Sequence, residues 1–223
     1  MRIGFVTDGT LAEFERSNRV WRSDVYLLSF GSVGVVNYEK EVQGETAELE
    51  EIALFSRNFR CVTVCGCYTD TKGIKRRSAV VAEGGRILGV SDMTASVDGD
   101  KYKCGYGVRV YETSAGNIGV IVGKDVFFPD LVSSLVRCGS DAVVCMYEEV
   151  GDSLESGVLR SHAFCYGTPM AMCARGYAFS AGIGGKVDFA SPRSPCFFTP
   201  EKRAEYHLVQ TRRRGFHKIQ ETF

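Results

Sequence analysis

Apolar positions along the chain follow two rhythms. Short runs rich in β-branched and aromatic residues read as strands at 1–6, 24–30, 61–67, 141–147, 168–177 and 185–192. Residues 45–59 keep a helical rhythm instead. There Ala47, Leu49, Ile52, Ala53, Phe55 and Phe59 recur near helical spacing, and acids crowd the first turns, where they complement the helix dipole. Residues 129–139 predict a second helix, opened by Pro129 and stopped by Gly139, and 155–166 predict a third. Two stretches, 77–90 and 107–122, predict hairpins with turns at Glu83-Gly84-Gly85 and Ser114-Ala115-Gly116-Asn117. The glycine-rich 176–185 stretch lacks the strand–GxGxxG–helix context of a nucleotide site and reads as a tight-turn or mobile segment. Several strands are apolar on both faces, so both need cover, and the pattern predicts an α/β layered fold with sheets under helices. No repeat, low-complexity tract or linker interrupts it. A single domain over 1–214 is expected, with 215–223 as a C-terminal tail.

Composition and charge narrow the function. Lys plus Arg and Asp plus Glu each number 27 in 223 residues, so the net charge is zero and nothing draws the chain to nucleic acid or an anionic membrane. No apolar run approaches the roughly 18 residues of a membrane span, and the N-terminus carries no charged-then-apolar leader. Nine cysteines, an odd number, sit within apolar runs, which suits reduced thiols in a cytoplasmic protein better than a disulfide framework.

The order of elements from 61 to 130 carries a resemblance. A strand ending in Cys65-Gly66 is followed by a hairpin ending GGRILGV. A second hairpin then closes on Gly119-Val120-Ile121-Val122-Gly123-Lys124-Asp125-Val126-Phe127-Phe128-Pro129-Asp130. This stretch resembles the carbon–nitrogen hydrolase (nitrilase/amidase) superfamily, where it reads glycine, apolar run, cysteine, any residue, aspartate, two residues, Phe-Pro-Glu/Asp. Gly139-Ser140-Asp141-Ala142 resembles the family's Gly-Ala-Asp before the next strand. Asn18, Ser23-Asp24, and Arg160 with Ala163 and Tyr166 match further pieces. The resemblance implies a four-layer αββα sandwich, a small-molecule ligand or substrate, no cofactor, and protomers paired as homodimers or larger assemblies.

It also implies three catalytic positions, a nucleophilic cysteine, a glutamate that handles protons and a lysine that stabilises the tetrahedral intermediate. In this sequence they fall on Gly123, Phe30 and Met93. None of the three can perform the family's step, so the expectation is a catalytically degenerate protein, a ligand-binding or subunit-partner module. The alternative is a hydrolase of small amides or nitriles working through a displaced nucleophile. Cys145 with Glu148 is the candidate pair, against the plainer reading of a buried thiol and solvated acids. Lys124, Asp125, Tyr147 and Lys103 are the candidates for ligand contact. Lys124 and Asp125 also read as a local ion pair or hydrogen bond at the turn, and Lys101 and Lys103 as a solvated loop. Asp98 or Asp100 falls near a second family glutamate. Cys61, Cys65 and Cys67 share a strand face without C-x-x-C spacing, which favours core packing over a metal site. His162 and His207 have no acid at helical spacing, and Arg212, Arg213 and Arg214 read as a solvated tail.

Overall fold

The computed structural model describes residues 2–17, 22–95, 99–150 and 153–200. The elements run β1 (Ile3–Val6), α1 (Leu11–Arg16), β2 (Val25–Leu28), β3 (Val35–Asn37), α2 (Tyr38–Gln43), α3 (Glu48–Phe59), β4 (Val62–Thr71), β5 (Ile74–Glu83) and β6 (Arg86–Asp92). There follow β7 (Arg109–Thr113), β8 (Gly116–Val122), a 3₁₀ turn (Gly123–Phe127), α4 (Pro129–Arg137), β9 (Ala142–Glu149), α5 (Leu154–Tyr166), β10 (Met170–Arg175), β11 (Tyr177–Ala181), β12 (Val187–Ser191) and β13 (Cys196–Phe198).

They build two mixed sheets. The first is ordered β13-β1-β2-β4-β5-β6, with β3 beside the far end of β4, and the second is β12-β11-β10-β9-β8-β7. In each, three parallel strands joined by helices (β1-β2-β4 and β8-β9-β10) lead into an antiparallel meander. The two halves therefore share a topology that no sequence repeat announces.

Strand alternation divides the apolar residues among three cores. Between the sheets lie Phe5, Leu27, Val64, Val81, Val120, Val144 and Met146. The opposite face of the first sheet packs Tyr26, Cys65, Cys67 and Val80 on Leu11, Phe14, Ile52 and Phe55 of α1 and α3. The opposite face of the second packs Ile121, Val143, Cys145 and Met172 on Leu135, Leu159 and Ala163 of α4 and α5. Helix, sheet, sheet, helix: the αββα sandwich is present. Among the described residues no helix is long and apolar enough to cross a membrane.

Three details depart from the sequence reading. The strand starting near 61 continues to Thr71, and β5 begins at Ile74, so the two form a long hairpin the pattern did not show. Its turn, Lys72-Gly73, has both residues left-handed at φ 51° and 80°, as a tight two-residue hairpin turn requires. The segment 176–185 contains β11, paired antiparallel with β10. The short α1 and α2 lack enough turns for an apolar rhythm and rest on side-chain caps instead. Thr10 and Glu13 form a capping box, and Asn37 accepts from the Lys40 amide. Cys61, Cys65 and Cys67 share the face toward the first helix layer, where they pack as small apolar residues.

The aromatic layer beneath α3 is dense. Phe55 is fully buried, with its ring 4.4 Å from Phe59 and 5.4 Å edge-on to Tyr26. Phe55→Ala is expected to destabilise the protein by about 3–5 kcal/mol, read from the shift in urea midpoint.

Candidate functional site

Parallel strands present ligands at their carboxyl ends, where chain direction and helix geometry leave a crevice. Here both sheets contribute. Phe30 follows β2, Tyr68 lies on β4, Met93 follows β6, Gly123 follows β8 and Glu148 lies near the end of β9. Arg77 joins them from β5.

The turn at Gly123 is the most constrained part. Gly123 has φ +54°, a left-handed value that a side chain strains to adopt. A Cβ placed on it would lie 2.8 Å from the Met93 sulfur and 3.8 Å from Arg77 Cδ. The space in front of this backbone is thus filled by a thioether and an arginine stem. Asp125 holds the arrangement in place. Fully buried, its carboxylate accepts from the Thr94 amide at 2.9 Å, the Thr94 hydroxyl at 2.9 Å, the Ala95 amide at 2.7 Å and the Val122 amide at 3.3 Å. These bonds tie the end of β8 to the segment after β6, across the two sheets. Burial raises the Asp125 pKa, and the donated hydrogen bonds pull the other way.

Phe30 is buried against Gly66, where a Cβ would sit 2.8 Å from its ring, and its ring lies 5.3 Å from Tyr68. Above it runs a polar network. Tyr68 donates its hydroxyl to Glu148 at 2.5 Å, and Arg77 Nε donates to the other Glu148 oxygen. Arg77 Nη1 reaches Asp100 at 2.5 Å, and its guanidinium lies 4.2 Å from the Tyr102 ring centroid. Burial and the bond to Glu148 push the Tyr68 hydroxyl pKa upward. Nothing in the sequence pattern marked Arg77. Its one signal was a charged residue on the inward face of a strand that is apolar from Ala79 to Ala82.

The structure separates other candidates. On β9, Glu148 shares the inward face with Val144 and Met146, whereas Cys145 and Tyr147 face α5. Cys145 and Glu148 therefore lie on opposite sides of one sheet, because residues three apart in a strand always do. Cys145 is fully buried, and burial drives its pKa up, away from a reactive thiolate. Tyr147 packs at the helix layer, and burial raises its pKa too. Lys124 and Asp125 form no local pair: Lys124 is exposed while Asp125 turns inward to backbone amides. Lys101 and Lys103 are exposed, and the Lys103 amide donates to the Lys75 carbonyl at 2.8 Å. His162 is buried with Nε2 2.8 Å from the Val126 carbonyl, pinning α5 to the 3₁₀ turn. Asn18, Asp98, His207 and Arg212 to Arg214 lie outside the described residues. A cavity lined by Arg57, Arg60, Cys61, Glu83 and Gly84 sits at the other end of β4 from this network.

No protein-family model and no curated protein sequence matches the chain. Solved structures do. A carbon–nitrogen hydrolase from Helicobacter pylori G27 superposes with TM-score 0.68 at 17% identity, over 88% of this chain and 87% of its own. A variant of an amidase of the nitrilase superfamily from Nesterenkonia AN1 gives 0.71 at 16%, over 88% and 89%. Saccharomyces cerevisiae Nit3, a nitrilase-superfamily member of branch 10, gives 0.72 at 13%, over 88% of each chain. The fold is that of the nitrilase superfamily. On this nitrilase fold, the three positions that the sequence matched to the catalytic residues sit at one end of the sandwich, with Met93 and Gly123 in direct apposition.

Two expectations follow. Asp125→Ala strands buried amides of Thr94, Ala95 and Val122 and should cost on the order of 3 kcal/mol or more, measured by urea unfolding. Iodoacetamide on the native protein should modify Cys104, Cys138 and Cys165, which are exposed, and spare the six buried cysteines until denaturant is added. Peptide mass spectrometry distinguishes the two sets. Fast, stoichiometric labelling of Cys145 alone would contradict the burial described here.

Proposed function

We propose that the protein uses the nitrilase sandwich without its hydrolytic chemistry, as a ligand-binding or subunit-partner module. The observation that carries this reading is at Gly123. The position matched to the nucleophile has no side chain, and the Met93 sulfur stands 2.8 Å from where a Cβ would begin. Phe30 and Met93 supply neither a carboxylate nor a cation. Triads of this kind act as a unit, so loss of the nucleophile alone removes several powers of ten in rate. The nine free thiols suit a reducing, cytoplasmic setting. Assembly belongs to the same reading. The α4–α5 face, where Phe128 is 45% and Phe164 54% exposed, is the proposed homodimer contact, and a monomer by light scattering at micromolar concentration would remove it.

The activity test is ammonia release from a panel of small amides, carbamoyl compounds and nitriles. Wild type and Gly123→Cys should both stay at the buffer rate. The new thiol would meet Met93 and would lack both partners. Turnover by the wild type that Cys145→Ala abolishes would overturn the reading in favour of hydrolysis through that thiol.

A further inference from the structure

Residues 99–105 cross the site end as a strap without helix or strand of their own. Asp100 binds Arg77, and the Asp100 carboxylate also accepts from the Tyr102 amide at 3.1 Å. The Tyr102 ring stacks on Tyr68 at 5.2 Å and 22°, and against the Arg77 guanidinium. Main-chain bonds from Lys103 to Lys75 and from Gly105 to Met93 anchor its far side. Gly105 is required there, because a Cβ would come within 2.5 Å of the Asp92 side chain.

The geometry of the two partners of Arg77 differs in kind. Tyr68 stands on β4 between β3 and β5, and Glu148 stands at the end of β9, beyond its pairing with β8 and within the irregular stretch opposite β10. Asp100 and Tyr102 stand on a loop whose other side chains, Lys101, Lys103 and Cys104, are exposed. Segments with so few buried apolar contacts are the ones that open most readily, and opening this one would uncover a pair whose Asp100 side chain is 12% exposed against 32% for Glu148. Arg77 itself is only 14% exposed, with its stem over Gly123 and its planar head presented to a carboxylate and a ring together. A carboxylate and an aromatic ring two residues apart, both on one arginine, have the shape of a small molecule carrying the same two groups.

We propose that Arg77 is the centre of a binding site for small aromatic carboxylates, and that Asp100 and Tyr102 hold it closed by occupying the positions of the ligand's carboxylate and ring. The proposal rests on the binding-module reading above and names the ligand class for that site. In the exchange the ligand carboxylate takes the Nη1 edge of Arg77. Its ring takes the face of Tyr68, extending the run from Phe30. Arg77 Nε stays on Glu148, so the site keeps its charge balance. A tethered competitor acts at an effective concentration on the order of millimolar, so wild-type affinity is reduced by the fraction of molecules with the strap closed.

The probe is p-hydroxyphenylacetate, titrated calorimetrically into the full chain. The Asp100→Asn, Tyr102→Ala double variant should bind about tenfold or more tightly than wild type. Arg77→Lys in that background should lose at least about tenfold, since an ammonium cannot offer the planar fork. The uncharged p-hydroxyphenylethanol should not bind. Equal affinity of wild type and double variant, indifference to Arg77→Lys, or no binding by a double variant that melts like wild type would each overturn the proposal. Should the double variant not fold, the Tyr102→Ala single variant carries the same comparison. Hydrolysis of p-hydroxyphenylacetamide, followed in parallel, separates the two readings. Turnover removes the non-hydrolytic one and leaves the Arg77 site standing, whereas absent binding with absent turnover removes the site alone.

Discussion

A buried carboxylate sets the terms for the whole site end. Asp125 is fully shielded from solvent, so its charge and lone pairs call for protein donors. It takes them from Thr94, Ala95 and Val122, which come from segments on different sheets. The requirement draws the turn after β8 against the segment after β6. Met93 is thereby pressed onto Gly123, and the left-handed backbone there stays in place with no side chain to stabilise it.

Strand parity then decides what meets what. The central strands of both sheets are covered on both faces, so a residue's odd or even position there sends it either between the sheets or beneath a helix. On β9 this splits Cys145 and Tyr147 from Glu148. On β5 it places Arg77 inward, toward Glu148, and on β4 it places Tyr68 beside both. A thiol and a carboxylate three residues apart look like neighbours in the sequence and are separated by the sheet in the fold.

The polar network around Arg77 has two carboxylates for one guanidinium, one on a strand and one on a loop. Glu148 bridges the sheets through Arg77 and Tyr68, whereas Asp100 reaches in from a loop. Phe30 and Met93, both buried, give the crevice an apolar floor. The polar groups of Arg77, Tyr68, Glu148 and Asp100 stand above that floor.

The sequence by itself determined the layered α/β class, the major strands, the helices read at 45–59, 129–139 and 155–166, and the resemblance that led to the αββα sandwich. These features are local. A periodicity of 3.6 or 2, a proline at a helix start and a glycine at a turn act over a few residues and are readable one segment at a time. Through the resemblance it also matched Phe30, Met93 and Gly123 to three positions, of which the fold sets Met93 against Gly123. Only the tertiary structure decided that Arg77 and Tyr68 belong there, that Asp125 pairs with amides rather than with Lys124, and that Cys145 faces away. It likewise decided that the strap from 99 to 105 lies on Arg77. Those facts depend on which strands of different sheets come face to face, through contacts between residues 23 to 80 positions apart, and no local pattern encodes that register.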